Sequence, residues 1–333
     1  MRRLAIALLA LLPCAPLAAG DARPDATACV RIPTPPGPLS LLPLPDPLRL
    51  LVSTHDRRHF ERPGELYAYD TAAGLLKRLP RRGEPAGLVL RPGHMDLVRR
   101  GKETLLYLVN HDSDSANGRR HSVLVYAVQG DHLDFRKRYR DPLLRSPNHL
   151  SVAPDGDLYV TNDRLDGSSV MELLLRKPTG TLVHYREGQG WRVVADGLGY
   201  ANGVKAEAER VMVVMTFGNA MLTWPRQADG TLGTREQVVS LPALDGLAAG
   251  PSPGTWLTVS RGPLLDLLRH RYFATHPSAA TVFVVDTATR SFQPFFSDDG
   301  HRISAMSSPV LANRALYLGQ AFDDFILRCP LRG

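Results

Sequence analysis

The residues best suited to chemistry are imidazoles and side-chain oxygens at the starts of short apolar runs. His94 stands in Pro92-Gly93-His94-Met95, His149 in Pro147-Asn148-His149-Leu150, and His111 closes Leu108-Val109-Asn110-His111. A neutral imidazole near pH 7 can take a proton from water and so serve as a general base. Asn148, Asn202 in Tyr200-Ala201-Asn202-Gly203, and Asp245 in Leu244-Asp245-Gly246 bring oxygen donors at comparable places. These groups lie far apart along the chain, so they form one site only if the fold brings the starts of many elements to one point.

Short strands are the elements that must do this. Apolar stretches of four to seven residues recur from Leu48 to Arg328, separated by Gly, Pro, Asp or Asn. Residues 21–47 are rich in Pro and Asp and read as irregular, and Pro263–Phe273 reads as a short helix or lid. Six segments open strands in a similar way: Leu39-Ser40-Leu41, Pro92–Met95, Pro147–Leu150, Tyr200–Val204, Leu244–Leu247 and Ser304–Met306. Their spacing, roughly 43 to 60 residues, lies around the period of propeller blades. The expected fold is therefore all-β, a six-bladed β-propeller in one domain over residues 21–333. Innermost strands of such a ring begin near a central channel, where the six starts converge.

The 333 residues are 44% hydrophobic and 22% charged, which excludes a disordered chain and a polytopic membrane protein. Forty Lys and Arg against 33 Asp and Glu give +7, with Arg scattered along the chain. This is a basic surface rather than a nucleic-acid footprint. Met1-Arg2-Arg3, an apolar run to Leu12 and small residues to Gly20 read as a signal peptide over residues 1–20, cut after Gly20. The expected location is periplasmic or secreted, with no stable membrane span after signal removal. Cys14 falls within the signal. Cys29 and Cys329 remain near opposite ends, read as a disulfide that closes the ring, the alternative being two separate buried thiols. A phosphate loop and a dinucleotide fingerprint are missing from the sequence. His270 and His276 read as surface, and His55-Asp56-Arg57-Arg58 as a solvated loop.

Tyr159-Val160-Thr161-Asn162-Asp163, Arg192–Gly197 followed by Tyr200–Gly203, and Ala315–Gly319 running to Cys329-Pro330-Leu331 carry a resemblance. In this order the chain resembles the paraoxonase/arylesterase family and, more distantly, the gluconolactonase/senescence-marker-protein group. The resemblance covers nearly all of Cys29–Leu331 and implies a six-bladed propeller with calcium in its channel. It implies Asn148, Asn202 and Asp245 as ligands of one catalytic calcium, and His94 with His111 as the catalytic pair. Cys29 and Cys329 fall where the family closes its ring with a disulfide.

The family pattern is broken at the first strand start. Gly37-Pro38-Leu39-Ser40-Leu41 puts an apolar residue at the family's Glu ligand and a hydroxyl at its structural-site Asp; His149 replaces a second structural-site Asp. A structural calcium is accordingly expected to be absent. Gly246 stands for an Asn ligand of paraoxonases, and His94 is shifted by one place from the family histidine, which turns a strand side chain over unless a bulge restores it. Calcium takes about six to eight oxygens, so the three remaining side chains would need help from water or from Asp96, Asp163 or Asp166. The leading expectation is an exported hydrolase of a small-molecule ester or lactone. Its rivals are a non-catalytic binding propeller and metal-free chemistry of the kind strictosidine synthase performs on the same architecture.

Overall fold

The computed structural model describes residues 22–46, 48–115, 118–164 and 175–332, so the expected signal peptide and Asp166 lie outside the described residues. Six sheets surround a channel, antiparallel throughout except where Arg81–Arg82 runs parallel to Leu133–Tyr139. Their innermost strands are Pro38–Pro43, Pro92–Arg100, Pro147–Val152, Ala201–Ala206, Leu244–Ala249 and Met306–Ala312. Each touches the next around the ring, and the sixth touches the first. These are the six starts expected from sequence.

Blades pack through apolar layers, one between each neighbouring pair. In Glu103–Ser115, Leu106 and Leu108 face the layer shared with the first blade, and Tyr107 and Val109 face the layer shared with the third. Successive side chains of a strand point to opposite faces, and here both faces are buried. That is why the middle strands read as continuous apolar runs rather than as alternating ones. Outermost strands such as Leu75–Arg78, Leu133–Tyr139 and Ser291–Asp298 carry polar, exposed residues. Their weak apolar signal left them outside the sequence reading.

Residues 21–47 were expected to be irregular, and the structure corrects this. Besides Pro38–Pro43, the segment supplies Val30–Pro33, which lies antiparallel to Phe325–Arg332 as the outer edge of the sixth blade. Arg23–Pro24 pairs with the same strand. The ring is thus closed by both ends of the chain, and the Cys29–Cys329 disulfide, 300 residues apart in sequence, fastens the seam. No helix among the described residues is long and apolar enough to cross a membrane.

Candidate active site

Every innermost strand has a break in register near its start: Pro38/Ser40, Pro92/Met95, Pro147/Leu150, Ala201/Val204, Asp245/Ala248 and Met306/Pro309. A bulge inserts a residue and re-aims its neighbours. Four of these strands are also entered through a left-handed residue, Gly37 (φ 70°), Tyr200 (56°), Ala243 (49°) and Ala305 (51°). A Cβ on Gly37 would meet the His55 carbonyl, so that turn requires glycine. Tyr200 holds the same conformation despite its bulk, a strained position of the kind found at functional sites.

These turns open a cavity of about 370 Å³ at one mouth of the channel. His94, His111, Asn148, Asn202 and Asp245, all expected from sequence, line this one cavity. The bulge at Pro92/Met95 answers the one-residue shift, because His94 faces the channel after all. Its ring stacks on His149 at 4.2 Å, and burial drives the His94 imidazole well below its usual range and His149 to about 4. Both rings are therefore neutral near pH 7. His149 faces a second cavity of about 300 Å³ at the other side of the stack, so the two rings plug the channel between them.

His111 has a partner that the sequence reading missed. His121, on the neighbouring strand Gly118–Val128, places its Nδ1 3.2 Å from the Nδ1 of His111, one ring donating to the other. Another register shift, between Arg120 and His121, sets this pairing. A Cβ at residue 93 would stand 3.1 Å from His111 Nε2, so Gly93 gives that nitrogen room. Above the pair stand Phe60 and the lid helix Leu264–Tyr272. Leu264, Leu267 and Leu268 of the helix face the cavity, a spacing that shares one helical face.

The loop His55-Asp56-Arg57-Arg58 is not a solvated one. His55 is buried, and burial together with the Arg57 charge pushes its imidazole down to about 4. Arg57 lines the cavity and donates to the carbonyls of His55 (3.3 Å) and Pro92 (3.1 Å). Arg58 reaches the carbonyls of His270 and Arg271 and the Asp323 carboxylate, which fastens the lid helix. His270, expected at the surface, is 2% exposed and bonded to the His276 carbonyl and to Asp323. Its isolated place in sequence hid a role in anchoring the helix end.

The oxygen donors expected to hold calcium meet, but in company that does not fit a divalent cation. Asp245 is ion-paired to the guanidinium of Arg261. Leu39 lines the cavity where the family resemblance implies a carboxylate. Asn202 donates to Thr216 at 3.1 Å, and its Oδ1, like Asp245 Oδ1, is buried without a hydrogen-bond partner. Among the described residues no group of three or more His, Cys, Asp or Glu could hold a metal. A dication seated on Asp245 would lie against Arg261, and its repulsion would act in a partly desolvated space where like charges are costly. Burial raises the Asp245 carboxyl even with Arg261 beside it.

Among the described residues, Arg57, Arg164, Arg261 and Arg271 line the cavity together with Asp163 and Asp245. Asp163 also accepts from Ser146 at 2.5 Å. Burial, with Asp163 nearby, raises the Tyr200 phenol and keeps it protonated. From sequence none of these arginines was placed in the channel, and Arg57 was read as part of a solvated loop.

Comparison with solved structures shows the fold. A candidate gluconolactonase from a structural-genomics programme shares 12% identity, with 94% of this chain and 98% of that one covered, at a TM-score of 0.56. A gluconolactonase from Xanthomonas campestris shares 18% over 91% and 98%, with a TM-score of 0.50. An aldose sugar dehydrogenase from Streptomyces coelicolor, solved with PQQ bound, shares 15% over 93% and 100%, at 0.53. One architecture thus carries different chemistries. No curated protein matches by sequence. The arylesterase family does match, over residues 60–331, and with most of the chain covered in this way the protein belongs to the arylesterase family.

Proposed function

We propose that the chain hydrolyses a carboxylic-ester or lactone bond of a small molecule in the lidded channel mouth. The observation that carries this reading is the meeting of the His111–His121 imidazole pair with the bare oxygens of Asn202 and Asp245 in one cavity. His111 takes a proton from water as the water oxygen bonds to the carbonyl carbon. The imidazolium then returns the proton to the departing alkoxide oxygen as the acyl C–O bond breaks. His121 orients His111 and fixes its tautomer. Asn202 and Asp245 accept from a hydroxyl of the substrate or of its opened product. The leucines of the lid and Phe60, Phe217 and Phe322 exclude water from the apolar part of the ligand.

Export to the periplasm or beyond is part of the same reading, supported by the amino-terminal segment and by the disulfide, which belongs to oxidising compartments. The test is turnover of phenyl acetate and of simple γ- and δ-lactones by the mature chain. His111→Gln is expected to lower kcat by about 10²- to 10⁴-fold, the usual contribution of a positioned general base. Failure of every ester and lactone would remove the hydrolase reading and favour a binding propeller.

A further inference from the structure

We infer that the channel floor is an anion site, in which the guanidinium groups of Arg57 and Arg261 bind a carboxylate-bearing small molecule where family resemblance would place a divalent cation. The inference rests on the channel mouth being the ligand site, as proposed above, and departs from it in assigning the charge of the ligand.

Arg57 is the central observation. It is partly buried, lines the cavity and, among the described residues, bonds to backbone carbonyls, those of Gly37, His55 and Pro92, and makes no ion pair with any carboxylate. Its neighbours in charge include two further arginines, Arg261 and Arg271, opposed by Asp245. Burial and these like charges lower the Arg57 guanidinium to about 10, so it stays charged at pH 7 but at a cost that an anion would relieve. Arg261 is fixed from two sides, by Asp245 and by its own Nε–H bond to the Met306 carbonyl at 2.8 Å. Asp245 can neutralise one of the two guanidiniums, not both. A purely structural arginine could make the three carbonyl bonds of Arg57, but it would not need to line a cavity beside a second guanidinium, that of Arg261.

The chemistry of the rest of the cavity completes the ligand. Phe60, Phe217, Phe322 and the lid leucines offer an apolar wall beside the charged floor. A monocarboxylate with an aromatic or aliphatic body matches both. Guanidinium is suited to such a group because its planar donors meet both carboxylate oxygens and it holds its charge at any pH the protein meets.

Benzoate and its neutral isostere benzamide are the probes, read by thermal melting and by calorimetry on the mature chain, with and without chelator. Benzoate is expected to raise the melting temperature saturably and benzamide to leave it unchanged. Calcium at millimolar concentration and chelator are both expected to have no effect. Arg57→Met, which keeps the stem and removes the charge, is expected to weaken benzoate at least about tenfold. Equal binding of benzamide and benzoate by the unaltered chain would overturn the inference even if the variant failed to fold. So would stoichiometric calcium binding with a raised melting temperature, or an Arg57→Met protein that folds and keeps its benzoate affinity. Ester turnover separates the two readings. Benzoate binding without any turnover would leave the anion site standing and remove the hydrolase, and calcium-dependent turnover would do the reverse.

Discussion

Asp157 and Asp245 are both buried aspartates set against arginine, and they behave in opposite ways. Asp157 accepts from His184 at 2.7 Å, from Arg186 through both oxygens at 2.8 and 2.7 Å, and from Arg226 at 2.7 Å. Those bonds outweigh burial and hold its carboxyl down at about 2. The cluster ties the third blade to the fourth and is shut from the channel cavity, whose lining includes none of its members. Asp245 has one arginine, leaves an oxygen bare, and is raised by burial. A structural network closes its own hydrogen bonds, whereas the channel floor leaves the acceptor oxygens of Asn202 and Asp245 open to a ligand or to water.

The same substitution in both places tests that difference. Asp157→Asn leaves Arg186, Arg226 and His184 around a neutral amide, and an expected loss of about 3 kcal/mol follows from breaking a buried charge network. Chemical denaturation measures it, and benzoate affinity should not move.

Acid separates the regions by a second route. His55 and His149 are held near 4 in the folded chain against 6.5 when free. Between these values the unfolded chain binds protons that the folded chain refuses, so stability falls as pH drops from about 6.5 to about 4. The share of Asp157 has the usual carboxylate sign. It is intact above its free value of 3.8 and is lost as pH falls from there towards 2. His94, held lower still, adds a loss of the same sign that continues below 4. Denaturation series at stepped pH should therefore show stability falling from about 6.5 downward, and His55→Gln should shrink the part above about 4.

Asp245→Asn is expected to cost least, about 1 kcal/mol, because Arg261 keeps its bond to Met306 and an amide oxygen can still accept. Removing the negative charge should at the same time tighten benzoate, since Arg261 would then have lost the carboxylate that competes for it. Looser benzoate binding in this variant would break the contrast between the two aspartates.

The ring itself was legible in the sequence. Six turn-marked strand starts, middle strands rich in Val and Leu, and a cysteine near each end survive in one dimension because each depends on local chemistry. His94, Asn148, Asn202 and Asp245 were legible for the same reason, each belonging to a strand start. His121, Arg57 and Arg261 were not. Arg57 follows the second strand of its blade and Arg261 ends the second strand of its own, and both reach the cavity only once the ring has closed. His121 is turned toward His111 by a register shift that no periodicity announces. Val30–Pro33 was missed because its only partner lies at the far end of the chain.

That last pairing bears on the order of events during synthesis. Val30–Pro33 is made long before its partner Phe325–Arg332. A chain emerging from its amino end can build five blades from neighbouring segments while the sixth waits, its edge strand already present and its other strands still to come. The seam cannot close until that far strand has been made. A chain cut before Phe325 would lose the partner of Val30–Pro33 and, with it, the cysteine that latches the circle.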